Sequence, residues 1–293
     1  MNTEWEVAFN LQSTLAEGPV WCSRLQILSW VDITKKQIGF FDPTSGVNKI
    51  LQLSHMVGAV APTTAGDYLI AQQDGFYRIN ITTNEITKIS CPPDHDITKL
   101  RFNDGKCDPH GRFWAGTMAL DFAKAAGSLY CLESSGRLTT KLSQVTVSNG
   151  IAWSHDKRLM YYIDSVTGTI DSFDFHNESG AIYNRKVVIR IDPNMGVPDG
   201  MTIDADGMLW IALWGGGSVI CCNPVNGEIL TKISLPATNV TSCTFGGKDL
   251  KSLYITTARE GLSAIQNLQQ PLAGAVFVAQ PGVAGVPTYY FNG

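Results

Sequence analysis

The sequence predicts an all-β chain, a six-bladed β-propeller of four-stranded antiparallel blades. Three observations carry that prediction. No long segment shows helical periodicity; short strand-like runs are broken instead by Gly, Asp, Asn, Pro and Ser. One unit recurs, made of a polar turn, an apolar pair and a β-rich run. Six copies are present, and aligning Leu28, Leu69, Phe113, Met160, Leu209 and Leu253 gives spacings of 41 to 49 residues, which suits a four-stranded propeller blade.

The six copies lie at 22–32, 65–72, 108–116, 154–164, 204–212 and 247–256. A radial ring accommodates them with only short, protected sheet edges. The aromatic residues that follow the turns (Trp30, Trp114, Tyr161, Trp210 and Tyr254) are expected to fill the core between blades. Segments 42–46, 80–84 and 223–227 read as hairpin loops rather than linkers, so residues 1–293 are expected to form one domain. Residues 204–207, Asp-Ala-Asp-Gly, resemble the opening of a calcium loop but lack its later ligands, and read as a hairpin turn. The early run 6–9 is expected to pair with the β-rich Ala275–Ala279 and close the ring.

With 293 residues, 44% of them hydrophobic, the chain can bury a full core. The net charge of −4 without a Lys/Arg run argues against a nucleic-acid partner. No apolar stretch approaches the roughly 20 residues of a membrane span. The run 1–6 is acidic and has no signal-peptide core, so a cytoplasmic location is expected. Cys22, Cys91, Cys107, Cys131, Cys221, Cys222 and Cys243 are odd in number and show no C-x-x-C or zinc spacing. They are expected to be reduced core thiols.

Three stretches place one oxygen-bearing side chain beside a glycine, before or within a strand-like run: Glu17-Gly18-Pro19-Val20-Trp21, Ser148-Asn149-Gly150 and Pro198-Asp199-Gly200-Met201. Singly, each reads equally well as a turn. A ring would bring them together, and two carboxylates with an amide suit a hard divalent cation. Other schemes find less support. There is no Gly-x-Ser-x-Gly elbow and no phosphate-cradling glycine loop. His55, His95, His110, His155 and His176 are scattered and read as loop or surface residues.

The same stretches stand in order with Arg101-Phe-Asn-Asp-Gly-Lys106, Trp114-Ala-Gly-Thr-Met118 and Thr241-Ser-Cys-Thr-Phe-Gly-Gly247. From Glu17 through Arg259 the series resembles the SMP-30/gluconolactonase/regucalcin family, which includes luciferin-regenerating enzymes. The resemblance implies one divalent ion (Ca²⁺, Zn²⁺, Mn²⁺ or Mg²⁺) held by Glu17, Asn149 and Asp199, with Asp199 also the candidate base. It implies substrate contacts at Arg101 and Asn103. A third would fall on Asp121, where some members carry a glutamate one methylene longer.

The implied reaction is opening of an aldonolactone of the glucono-, galactono- or arabinono- type, by a chain that is a monomer or weak homodimer. A calcium-binding regulatory protein with little turnover is the alternative; Arg101 and Asn103 separate the two, because an ion buffer needs neither. An esterase of the paraoxonase sort calls for an apolar mouth and histidine near the metal. The matching motifs offer neither.

Overall fold

The computed structural model describes residues 4–93 and 95–293; Met1–Thr3, at the head of the acidic N-terminal run, lie outside the described residues. The chain forms six four-stranded antiparallel sheets arranged as a propeller. Five blades are plain meanders of four consecutive strands. The sixth combines Asn239–Gly246, Ser252–Ala258 and Ala275–Ala279 with the first strand, Trp5–Asn10. That strand pairs antiparallel with Ala275–Ala279, Trp5 opposite Ala279 and Val7 opposite Phe277. The ring therefore closes as the two β-rich runs predict, and its first and last strands are hydrogen-bonded to each other.

Six hydrophobic clusters hold the ring together, one at each boundary between adjacent blades. The aromatics flagged in the repeats occupy these boundaries. Trp114 meets Trp153 edge-on at 6.0 Å, Trp210 meets Phe245 at 5.8 Å, and Tyr254 stacks on Trp21 at 5.8 Å. Trp30 packs on Phe9 across the closure, and Tyr161 joins Met201 and Leu209 of the next blade. Such large aromatic surfaces dominate core energetics. Six of the seven cysteines are buried free thiols; Cys91 is the exception and is exposed.

Two of the repeated turns have a common cause. Asp108 Oδ1 accepts from the amides of His110 (2.9 Å) and Arg112 (3.0 Å), and Oδ2 accepts from Trp114 Nε1 at 2.8 Å. Asp204 does the same with Asp206 (3.0 Å), Met208 (2.9 Å) and Trp210 Nε1 (2.8 Å). An aspartate that bonds its own backbone two residues on fixes a turn. Here it also ties the turn to the interblade tryptophan, and the hairpin reading of 204–207 holds.

The first strand of each blade lines the axis: Ala16–Cys22, Val57–Pro62, Leu100–Cys107, Ser148–Trp153, Val197–Ile203 and Asn239–Gly246. Neighbouring members of this set touch all round the ring. All run the same way, so their starts form one mouth of the channel and their ends the other. The far mouth is covered by the C-terminal tail. Gly285 donates to Leu250 O (2.8 Å), Phe291 to Pro62 O (3.0 Å) and Asn292 to Gly111 O (2.9 Å). A small cavity of about 50 Å³ lies beneath Val286–Tyr289.

Candidate active site

Each axial strand breaks register once, at the same level. The irregularities fall between Glu17 and Val20, Val57 and Ala59, Phe102 and Gly105, Ser148 and Ile151, Pro198 and Met201, and Val240 and Ser242. A bulge re-aims side chains and frees them from strict alternation. Asn103, Asp104, Asn149 and Asp199 sit inside these breaks, and Glu17 borders one.

The glycines after them meet a backbone requirement. Gly18 has φ +49°, a region where glycine carries no Cβ penalty. At Gly200 an added Cβ would stand 2.1 Å from Ser242 Oγ of the next blade. The ring is too tight there for any side chain.

The open mouth holds a cavity of about 240 Å³. Glu17, Asn149 and Asp199, contributed by the first, fourth and fifth blades, all line it. Arg101 and Asn103 of the third blade join them, as does Glu260, which follows the second strand of the sixth blade. All but the half-buried Glu260 are buried. Glu260 had no sequence signal, since it lies in a loop outside any recognisable motif.

A hydrogen-bond chain runs through three blades beneath the cavity. Arg101 Nη1 donates to Asn103 Oδ1. Asn103 Nδ2 donates to Ser148 O (2.8 Å) and to Asn149 Oδ1 (3.0 Å). Asn149 Nδ2 donates to Ser165 Oγ at 2.8 Å, and Ser165 Oγ to Pro198 O at 2.7 Å. The chain assigns the Asn149 amide, with nitrogen toward Ser165 and oxygen toward Asn103. The Oδ1 retains a second lone pair. Asn103, expected at the substrate, commits its amide to protein partners.

Burial governs the electrostatics. Glu17 accepts from the Gly18 amide at 3.1 Å, yet burial, reinforced by the Asp104 charge, pushes its carboxyl from the ordinary 4.5 up to about 8. Asp199 is raised well above its usual range by burial and then by Glu17 and Asp104; Arg101 works against this. Asp199 Oδ1 is buried with no hydrogen-bond partner. Deeper in the channel, burial raises Asp104 while Lys106 lowers it, and Lys106 Nζ donates to Met201 O at 2.7 Å.

Like-charged buried carboxylates beside an orphaned oxygen cannot all ionise without a counter-charge. The donor set is oxygen only, with neither histidine nor cysteine in the cavity lining. Glu17, Asn149 and Asp199 thus fit a hard divalent cation.

Asp121 is not part of this constellation. It is exposed, and its Oδ1 accepts from the Ala123 amide at 3.0 Å. That local turn directs the carboxylate to its own backbone, and the residue of this loop that lines the cavity is Phe122. The mouth differs from the sequence expectation in a second respect: Leu15, Met118, Phe122, Val166, Val197 and Trp214 make its walls apolar. No histidine accompanies them.

Comparison with known proteins agrees with this architecture. Residues 15–259 match the family model described as the SMP-30/Gluconolactonase/LRE-like region. Over 283 residues the chain is 40% identical to YvrE of Bacillus subtilis (strain 168), a protein provisionally named a sugar lactone lactonase, covering 96% of each chain. It is 38% identical to regucalcin of Danio rerio, covering 98% of each.

Among solved structures, a luciferin-regenerating enzyme superposes with a TM-score of 0.92 at 28% identity, covering 99% of this chain and 100% of the other. The calcium-binding protein regucalcin from Agrobacterium tumefaciens superposes with a TM-score of 0.94 at 26% identity, covering 99% of this chain and 98% of the other. With five-sixths of its length matched by the family model, and these relatives spanning nearly all of it, the chain belongs to the SMP-30/gluconolactonase/LRE-like family.

Proposed function

We propose that this protein is a metal-dependent lactonase that hydrolyses the cyclic ester of a sugar acid, an aldonolactone, to the open acid. One observation carries the reading: Glu17, Asn149 and Asp199, drawn from three blades, line one buried cavity together with a buried arginine. The provisional lactonase name of the Bacillus subtilis relative supports it.

Glu17, Asn149 and Asp199 would hold the cation, which supplies Lewis acidity toward the lactone carbonyl and toward water. The remaining work belongs to the chain. Asp199 Oδ1, free of hydrogen bonds, is the atom positioned to take a proton from the attacking water.

Arg101 has guanidinium donors beyond the Nη1 that Phe102 O and Asn103 occupy, and these are offered to substrate oxygens. Asn103 acts on Asn149, fixing the orientation of its amide through the bond to Oδ1. Burial disfavours the Arg101 charge, and Glu260 works against that by stabilising the charged guanidinium.

The ion-binding regulatory alternative leaves Arg101 without a task, although an arginine buried beside two carboxylates is costly unless it is used. The discriminating experiment is a panel of aldonolactones with a pH-indicator readout, scored against the spontaneous blank. Turnover should vanish on chelation and return with Ca²⁺, Mn²⁺, Mg²⁺ or Zn²⁺ to differing degrees. Chelator-resistant turnover would remove the metal from the scheme, and metal binding without turnover would favour the regulatory protein.

A further inference from the structure

We infer that Glu260 is a specificity-determining residue of the lactone site: its carboxylate accepts a hydrogen bond from one ring hydroxyl, while Arg101, on the opposite blade, donates to an oxygen across the ring. The inference rests on the lactonase reading and gives that site its hydroxyl acceptor. Three observations lead to it.

The first is placement. Arg101 belongs to the third blade, and Glu260 follows the second strand of the sixth. In a ring of six blades these two are diametrically opposed. Both line the cavity, as do Glu17, Asn149 and Asp199. A lactone seated over the axis, with its carbonyl toward those three, lies between Arg101 and Glu260.

The second is the supply of hydrogen-bond partners. A buried sugar hydroxyl needs an acceptor for its hydrogen and a donor to its oxygen. Among the side-chain acceptors of the cavity, Glu17, Asn149 and Asp199 are assigned to the cation. Asn103 Oδ1 accepts from Arg101, and Ser165 Oγ from Asn149. Asp121 is turned to the Ala123 amide. Glu260 remains, and among the described residues it forms hydrogen bonds through its backbone alone. Donors are at hand as well. Arg101 commits Nη1 to Phe102 O and Asn103 Oδ1, leaving Nε and Nη2. Trp214, which lines the same cavity, adds an indole N–H.

The third is the way Glu260 is held. Its amide donates to Thr14 O at 2.8 Å, and its carbonyl accepts from Asn239 Nδ2 at 2.8 Å. Asn239 is buried at the start of the axial strand of the sixth blade. The cation next to it in sequence is engaged elsewhere: Arg259 Nε donates to Asn267 Oδ1 and Nη1 to Gln12 Oε1, each at 2.7 Å. Arg101 is the charge that Glu260 faces, and Glu260 leads the carboxylates that sustain the guanidinium against burial. No direct ion pair joins the two among the described residues. A carboxylate on a clamped backbone, facing a guanidinium it does not touch, is preorganised for a polar group between them.

The test uses the full chain loaded with Mn²⁺, with gluconolactone and a set of its analogues that each lack one hydroxyl. Rates are read with a pH indicator against the spontaneous blank. In the wild type, the analogue missing the hydroxyl that meets Glu260 should lose about 10- to 100-fold in kcat/KM, the usual effect of losing a hydrogen bond to a charged group. Glu260→Ala should lower kcat/KM for gluconolactone by the same factor. It should shrink that one analogue's penalty to about twofold or less, while the penalties of the other analogues persist. Glu260→Gln, which restores an acceptor without the charge, should recover part of the discrimination.

Penalties unchanged by Glu260→Ala, whether or not turnover as a whole falls, overturn the inference and leave the lactonase standing. Loss of Mn²⁺ binding in Glu260→Ala, read by calorimetry, makes Glu260 a metal ligand and also overturns the inference. A wild-type protein that turns over none of these lactones refutes the lactonase reading, and the inference falls with it.

Discussion

Asn103 Nδ2 donates to Asn149 Oδ1 across 3.0 Å, joining the third blade to the fourth through the atom proposed to bind the cation. A partner of this kind orients a ligand rather than touching the substrate. Asn103→Ala should weaken Mn²⁺ binding by about 10- to 100-fold in calorimetric titration. A variant with unaltered metal affinity and a raised KM would return Asn103 to the substrate.

Asp199→Asn should abolish most turnover while the propeller remains folded. In metal-free protein at pH 8 it should raise the Tm by a few degrees, because it removes a buried carboxylate crowded by Glu17 and Asp104. Differential scanning calorimetry in chelator tests the second claim independently of catalysis. A lowered Tm in the variant would show that the carboxylate stabilises the empty site.

The stability of metal-free protein should fall between pH about 5 and 8. Unfolded Glu17 loses its proton near the ordinary 4.5, whereas folded Glu17 keeps it up to about 8. Within that window the folded state binds more protons than the unfolded state. Stability therefore decreases as pH rises, by about 1.4 kcal/mol per pH unit for this one group. Asp199, shifted in the same direction, adds to the effect. The gain in Tm from Mn²⁺ should grow over the same window as the cation displaces protons. A metal-free Tm that is flat from pH 5 to 8 would contradict this.

The sequence and the structure agree best where a residue's role is local. Gly18 and Gly200 flag the register breaks at Glu17 and Asp199, because a tight ring must use glycine there, and those breaks set the side chains at the axis. The Asp-to-Trp spacing, seen at Asp108 with Trp114 and at Asp204 with Trp210, repeats because one carboxylate serves both turn and core. Agreement ends where a role depends on distant partners or on the path of a loop. The commitments of Asn103 are made to residues 45 and 46 positions away. Which of Asp121 and Phe122 lines the mouth depends on the path of their loop, where Asp121 bonds the Ala123 amide, and no motif encodes that path. Glu260 reaches the cavity only because the sixth blade closes beside the first.

Asp204→Ala separates a hairpin turn from a calcium loop. It strips the acceptor from Trp210 Nε1 and from two turn amides, and should destabilise the protein by about 2–4 kcal/mol. Urea denaturation measures the loss. The metal stoichiometry, read by calorimetry, should remain one ion per chain; a lower value would make Asp204 a ligand.

The central claim is that one cation sits among Glu17, Asn149 and Asp199. Diffraction from a crystal soaked in Ca²⁺ tests it most directly. The account predicts a single ion at the open mouth of the channel, with an oxygen of each of the three side chains about 2.3–2.6 Å away. An ion bound elsewhere, with these three side chains turned from it, would contradict the account.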